Sequence, residues 1–208
     1  MNKFYRLLFF ILILITGCKT INDDEKKITQ SINSLNMNIY SSEGHKLVSI
    51  KSPYSNYDKD KNIFNLRETT IKLFKNNKSE YKISSDNSII SNNNKLIELN
   101  GNVIVETLIK KQDILYSNSF TWNIKNSEFL LVGNVKYKNE SLSLSSNKAI
   151  LNKSNNIIEF FSPVQYKFID NNNEKRYEVN AQNAYYNIDT RSVIFRSNEE
   201  RVRSKIYF

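Results

Sequence analysis

The sequence predicts an all-β chain: an elongated, bent antiparallel jelly roll of repeated hairpin units. Three observations predict it. From about residue 37 onward, short segments alternate apolar and polar residues with no helical period. Turn-forming clusters separate them: SSEGHK, YDKDKN, SNNNK, NIKNS, NKSNN, IDNNNEKR and NIDTRS. The segments between the clusters also repeat.

The repeat units start at Ile50, Ile83, Leu115, Leu144 and Val179, and the first fits most loosely. A bulky residue closes the first strand of each: Tyr57, Ile90, Trp122, Leu151 and Tyr186. A turn former follows it: Asp58, Ser91, Asn123, Asn152 and Asn187. Eighteen residues after each start comes a small residue, Gly101, Gly133, Ser162 or Ser197; only the first unit departs, with Glu68. The chain has only 4 glycines, so two on one column carry information. Glycine inside a strand marks a bulge, a sharp bend or a close backbone approach. Each unit therefore reads as a strand, a turn, and a second strand bent near its middle.

Alternation then assigns faces. Ile97, Leu99, Gly101, Val103 and Val105 share one face, against Glu98, Asn100, Asn102 and Glu106. Phe129, Leu131, Gly133, Val135 and Tyr137 repeat the pattern, as do Ile158, Phe160, Ser162, Val164, Tyr166 and Phe168. Stacked hairpins of this kind bury one continuous apolar core. Trp122 and the aligned tyrosines are expected to pack between layers.

Composition excludes several functions. The 208 residues carry one Cys and one His, which leaves no disulfide framework, no Cys-rich zinc site and no histidine cluster. No cofactor is expected. His45 lies beside Gly44 in a turn and reads as solvated, and the acidic run Asp23–Glu25 reads as part of a solvated tether. There is no Ser/His/Asp set, phosphate loop or paired-carboxylate signature, so a non-enzyme is expected. The net charge is +9, with 30 basic against 21 acidic residues. In a chain rich in Asn and Lys, about half of that excess is attributed to composition rather than to a binding surface. Nucleic acid is a poor partner for an exported chain.

The N-terminus reads as a targeting segment. Lys3 and Arg6 precede an unbroken apolar run, Leu7–Ile15, too short for an ordinary spanning helix and suited to a signal-peptide core. The run ends in Ile15-Thr16-Gly17-Cys18, which resembles a bacterial lipobox, with the chain's single Cys on the position that receives lipid. Cleavage there removes two basic residues and leaves +7. Residues 1–17 are thus expected to be a lipoprotein signal, 18–36 a tether and 37–208 the β domain. The tether is either a solvated coil or a short amphipathic helix, since Ile21, Ile28, Ile32 and Leu35 are spaced seven, four and three apart.

The phrases Leu96–Val103 (LIELNGNV) and Phe129–Val135 (FLLVGNV), with a weaker echo at Phe160–Val164, resemble the LptC and OstA-type proteins of lipopolysaccharide export. The likeness covers roughly residues 37–205, and N-terminal membrane attachment favours the LptC branch. The resemblance implies a V-shaped β-jelly-roll whose apolar lumen takes the acyl chains of lipopolysaccharide or a related glycolipid. It implies docking on an LptB-LptF-LptG-type inner-membrane ABC transporter and delivery to an LptA-like periplasmic protein. The expected location is the periplasmic side of the inner membrane, held through an N-terminal lipid. The lipobox departs from members that keep a transmembrane helix, so that helix's contacts are not carried over to Leu7–Ile15. The alternative is a structural or adhesive β-repeat lipoprotein with no role in lipid transfer.

Physical chemistry fits a groove. Each methylene moved into water costs about 0.8 kcal/mol, so a chain of about a dozen carbons costs roughly 10 kcal/mol. Lipid therefore needs a continuous apolar surface, and no residue needs to react. The apolar face is either lumen or plain core. Its residues nearest the small column are the lumen candidates: Leu99, Val103, Val105, Leu131, Val135, Tyr137, Phe160 and Val164. Lys136, Lys138, Lys167, Arg201, Arg203 and Lys205 form a basic surface suited to anionic glycolipid head groups. The last segment alternates Arg201, Arg203 and Lys205 with Val202, Ser204 and Ile206, which predicts an uncapped edge strand able to pair with a partner's sheet.

Overall fold

The computed structural model describes residues 29–91, 93, 95–108, 113–169, 176–197 and 201–207. The lipobox, Cys18, Asp23–Glu25 and the apolar positions Ile21 and Ile28 lie outside them. The strands are β1 (Thr29–Tyr40), β2 (Lys46–Asp58), β3 (Ile63–Lys75), β4 (Lys78–Ser91), β5 (Leu96–Thr107), β6 (Ile114–Asn123) and β7 (Glu128–Lys138). They continue as β8 (Leu142–Asn152), β9 (Ile157–Phe161), β10 (Val164–Ile169), β11 (Arg176–Ala181), β12 (Asn183–Asn187), β13 (Val193–Arg196) and β14 (Arg203–Tyr207). No helix occurs among the described residues. β1 begins inside the segment expected to be a tether, which moves the domain's start back from residue 37 to at least Thr29. Over residues 29–36 both expectations, coil and helix, give way to a strand paired with β2.

All fourteen strands form one antiparallel sheet ordered β1-β2-β3-β4-β5-β6-β7-β8-β10-β11-β14, with β9, β12 and β13 branching from β8. Each long strand crosses a corner at mid-length. The ladders shift register at one column: between Ser84 and Asn87, Asn100 and Val103, Tyr116 and Ser119, and Val132 and Val135. The halves on one side of the corner form layer I, for example 46–51 of β2 with 70–73 of β3. The other halves form layer II, for example 54–58 with 63–67. β8 serves both layers, pairing β10 through 142–145 and β9 through 148–152. The fourth unit's second strand is therefore two strands. Ser162 and Pro163 divide it, and β9 goes to layer II while β10 goes to layer I.

Inner faces of the layers pack on each other. Tyr81 meets Phe129 edge to face at 6.1 Å, Tyr137 meets Tyr186 at 4.6 Å, and Tyr166 meets Phe195 at 5.2 Å. None of these pairs is adjacent in the sheet, so each contact bridges the layers. The apolar core runs from Val48 and Ile50 to Ile188, with Leu35, Met37, Ile39, Tyr166, Phe168 and Phe195 half-buried at its two ends.

The corner is built from two alternating devices. On β3, β5 and β7 the small column takes positive φ: Glu68 (+51°), Gly101 (+78°) and Gly133 (+80°). Glu68 thus keeps the bend that its residue type appeared to break, at a strain of about 1 kcal/mol. On β2, β4, β6 and β8 the bend falls at a buried serine whose hydroxyl donates to the carbonyl two residues on. These bonds run from Ser52 to Tyr54 (2.7 Å), Ser85 to Asn87 (3.1 Å), Ser117 to Ser119 (2.9 Å) and Ser146 to Lys148 (2.8 Å). Both strands of a unit bend, where the sequence had shown only one bend.

At the far ends, the turn column acts through its side chains. Asp58 Oδ1 accepts from Lys61 N, Asn123 Oδ1 from Lys125 N, Asn152 Oδ1 from Ser154 N, and Asn187 Oδ1 from both Asp189 N and Thr190 N. The three asparagines each close an Asx turn, the geometry for which Asn and Asp are selected, and Asp58 caps its turn one residue further on.

A Cβ on Gly133 would lie 2.8 Å from Asn118 Nδ2, whereas a Cβ on Gly44, at φ +82°, would meet nothing. Both Gly→Ala changes share the positive-φ strain, and only one adds a clash. Gly44→Ala is expected to cost about 1 kcal/mol and Gly133→Ala about 2–3 kcal/mol. In a domain of this size that is a melting-temperature loss of roughly 2–4 °C against 4–12 °C. Adding Asn118→Ala should recover part of the larger loss; equal losses for the two single variants would contradict the close approach.

Candidate functional site

The eight lumen candidates all sit on the inner faces and are buried. Val103, Val105, Val135, Tyr137 and Val164 belong to layer I, and Leu99, Leu131 and Phe160 to layer II. Registered pairs tie them together: Leu99 faces Phe120, which faces Leu131, which faces Ala149, which faces Phe160. In layer I, Val105 pairs Leu115, which pairs Tyr137, which pairs Leu144. The apolar interior is thus one strip at right angles to the chain, running from β1 to β10 and β13 and leaving β11 and β14 beyond it. In this state its middle is closed.

Opposite the corner, the free ends of the layers meet along a seam. There Lys153 lies over the rings of Trp122 (4.7 Å) and Phe129 (5.1 Å), and Trp122 Nε1 donates to Asn126 O at 3.0 Å. A cavity of about 90 Å³ opens at this point between Leu47, Leu73 and Tyr81 of layer I and Trp122, Ile124 and Lys153 of layer II. Further along, Tyr137 O–H and Tyr186 O–H are 3.0 Å apart, and Asn139 Nδ2 donates to Tyr186 Oη at 3.3 Å. The buried Asp113 adds its charge to this polar closure. Trp122 and Tyr186 do pack between layers, at the seam. Lys153, Tyr81 and Asn139 were not singled out from the sequence. Their signal was position, since each lies at or near a strand end, where one layer reaches the other.

Burial shapes the ionisation of these groups. It pushes Tyr81 up to about 12, helped by the charges of Glu80 and Asp189. Burial, the bond to Tyr186 and the charges around it raise Tyr137 well beyond the ordinary tyrosine value. Burial lowers Lys153.

The interior is least buried toward the two ends of the sheet. β14 pairs only β11, through Tyr177–Ile206, Glu178–Lys205, Val179–Ser204 and Asn180–Arg203, so its other edge carries no strand among the described residues. Arg201 and Val202 precede the strand, which starts two residues later than the alternation suggested and runs to Tyr207. Val202, Ile206 and Tyr207 are exposed. β13 forms a second edge, with Ile194 exposed. At the opposite end β1 pairs only β2 among the described residues and holds no charged residue in TQSINSLNMNIY. His45 sits in the exposed β1–β2 turn, where its N–H donates to Ser41 Oγ at 3.1 Å.

The family model described as "Lipopolysaccharide-assembly, LptC-related" matches residues 7–165, more than half of the chain. The chain belongs to the LptC family. Its role therefore lies in lipopolysaccharide transport, and its family is one of transport components rather than enzymes. The match begins in the apolar N-terminal run and ends in β10, leaving β11–β14 beyond it. Among curated proteins none matches. Among solved structures the chain is similar to LptH, the LptA-homologous periplasmic component of the lipopolysaccharide transport device from Pseudomonas aeruginosa. Identity is 9% and the TM-score 0.42, over 77% of this chain and 94% of that one.

The tyrosines make the LptC-family domain sensitive to alkali. A tyrosine raised in the folded state stabilises fully below its unfolded pKa of about 10, and that contribution falls away as pH climbs toward the folded value. Stability in urea is expected to drop between about pH 10 and 11, by up to roughly 1.4 kcal/mol per pH unit for each such tyrosine. Tyr81→Phe should show a shallower drop than the native protein. Lys153 works in the opposite sense but is common to both, so it cancels in the comparison. An unchanged slope would contradict the buried state of Tyr81.

Proposed function

We propose that the domain carries the acyl chains of lipopolysaccharide, or a related glycolipid, along the strip between its layers. The observation that carries this reading is the continuity of the strip. It runs across the sheet from β1 to β10 and β13, is half-exposed at both ends, and is bounded on one side by a covalent corner and on the other by a seam of side chains. A lipid chain can enter a structure of this kind by parting a seam, without breaking any backbone ladder. Leu99, Val103, Val105, Leu131, Val135, Tyr137, Phe160 and Val164 are then the groove, and the Lys153–Trp122 and Tyr137–Tyr186 contacts hold it shut when empty. No group has to react and no cofactor is needed.

The same reading assigns the ends. Residues 1–17 act as a lipoprotein signal and Cys18 takes the lipid, which holds the chain at the periplasmic side of the inner membrane. Support comes from the lipobox pattern and from a family match that begins within the apolar run. The uncharged β1 edge is the end that receives lipid from an LptB-LptF-LptG-type ABC transporter. Arg201–Ile206, extended to Tyr207, forms the delivery edge, adding an LptA-like strand by backbone pairing. Charged edges resist indiscriminate pairing, and β14 has Arg203 and Lys205 where β1 has none. The two ends are thus chemically distinct, as a directed relay needs.

Val135 and Asn134 are neighbours on opposite faces, the first buried and the second exposed. Val135→Thr keeps the shape and places a hydroxyl inside the strip, and Val135→Asp places a charge there. Both are expected to reduce glycolipid co-purifying with folded protein, the charge by at least about tenfold. Asn134→Asp should leave it unchanged. If the Val135→Thr and Asn134→Asp proteins are both folded and bind equal lipid, the strip is plain core and the groove reading fails.

A further inference from the structure

The two outer faces of the jelly roll differ in charge, although composition alone would make them alike. Register assigns the side chains row by row, because directly opposed residues share a face. On the outside of layer I one row runs Lys72, Lys82, Glu106, Ile114, Lys138, Ser143, Lys167, Glu178 and Lys205 without interruption. The next row contributes Lys51, Lys136 and Arg203 and no acid. Lys82 is paired with Glu106 at 2.9 Å and Lys167 with Glu178 at 3.7 Å. The remaining basic groups of these rows make no ion pair among the described residues. On the outside of layer II, Arg67, Lys148 and Arg196 are offset by Glu98 and Glu159, and the rows are otherwise neutral or apolar.

The basic face has a densest strip, on β7, β8 and β10. It holds Lys136, Lys138 and Lys167, with no acidic side chain on the layer I halves of those strands. A depression of about 340 Å³ lies in the same strip, lined by Asn134, Lys136, Ser145, Asn147, Pro163 and Gln165. Amide, hydroxyl and ammonium groups around an open depression suit a phosphate diester, which accepts hydrogen bonds and carries one negative charge. Successive strands turn by about 20°, so a planar surface meets only a few adjacent strands. The β7–β10 strip is the part that such a surface would touch.

We propose that the outer face of layer I is a docking surface for an anionic phospholipid bilayer, with one headgroup phosphate seated beside Lys136, Ser145 and Gln165. This rests on the reading that the chain is held at a membrane through its N-terminus. From Cys18 to Thr29 the chain reaches at most roughly 40 Å, so the face is always close to a bilayer at high effective concentration. Each basic residue brought within a Debye length of about 8–10 Å of an anionic leaflet favours the docked state about fivefold. The docked orientation lays the outer face of β7, β8 and β10 on the membrane. Acyl chains remain on the inner side of the sheet, which separates this site from the groove.

Lysine acylation footprinting of the full chain, read by mass spectrometry, tests the proposal. The chain is placed in nanodiscs of phosphatidylcholine alone or with about 30% phosphatidylglycerol. Anionic discs are expected to slow labelling of Lys136, Lys138 and Lys167 at least about threefold relative to neutral discs, with Lys148 unchanged. About 0.5 M salt should restore labelling, because the screening length falls to roughly 4 Å. K136E/K138E/K167E should remove the weaker protection expected at Lys205, which lies on the same row two strands beyond β10. R67E/K148E/R196E, with the same change in net charge, should keep it. Equal protection on both faces, protection independent of lipid charge, or protection seen only on adding an acidic protein would each overturn the proposal. Loss of the chain from the discs in high salt would sink the anchoring reading instead. The face would then be judged by the same footprint on anionic vesicles added in low salt.

Discussion

Everything in this fold depends on a bend repeated at one column of the sheet. A flat antiparallel sheet with one apolar face would leave that face in water, and the chain has no helix among its described residues to cover it. Folding each strand across its own middle lets the sheet cover itself. The bend needs two kinds of residue in alternation: a positive-φ position on one strand and a serine that satisfies a freed carbonyl on the next. Gly101 and Gly133 fill the first role and Ser85, Ser117 and Ser146 the second. The corner polar groups are also linked from strand to strand, as where Asn102 Nδ2 donates to Asp86 Oδ2 at 2.8 Å.

The bend makes one side of the interior covalent and leaves the other as a seam. Backbone ladders cannot open reversibly without exposing unpaired groups, each costly when buried. A seam of aromatic contacts, one lysine over two rings and a tyrosine pair is weaker by construction. On the proposed reading, the asymmetry between corner and seam decides where an acyl chain enters. On the same reading, selectivity lies in the length and continuity of an apolar strip rather than in any one residue.

Much of this was legible in the sequence, and what was missed has physical reasons. Turn clusters and alternation located the strands from β2 onward because Asx turns demand Asn or Asp and half-buried strands demand a period of two. The Gly101 and Gly133 column stood out because glycine is scarce here. The serine column did not, since serine is abundant and its hydrogen bonds are invisible in composition. β1 was hidden for a related reason. An edge strand is buried on one side only and paired on one edge, so Ile32, Leu35, Met37 and Ile39 needed only partial apolar character. The fourth unit kept its alternation through Ser162 and Pro163, and nothing in that pattern revealed that β9 and β10 part company there. The seam was the least legible feature. It unites Tyr81 with Phe129 and Tyr137 with Tyr186, residues distant in sequence that meet only because every strand bends.

The central claim is that lipid travels on the inner faces of the layers. Photo-crosslinking from single sites in living cells tests it most directly, with a photoreactive residue at Val103 or Leu131 on the inner faces and at Ile104 or Leu130 on the outer faces. Adjacent positions lie on the same strand at the same height and differ in the side of the sheet they occupy, the inner ones buried and the outer ones partly exposed. The account predicts glycolipid adducts from Val103 and Leu131 and none from Ile104 and Leu130. Adducts from the outer positions alone, or equally from both, would contradict it.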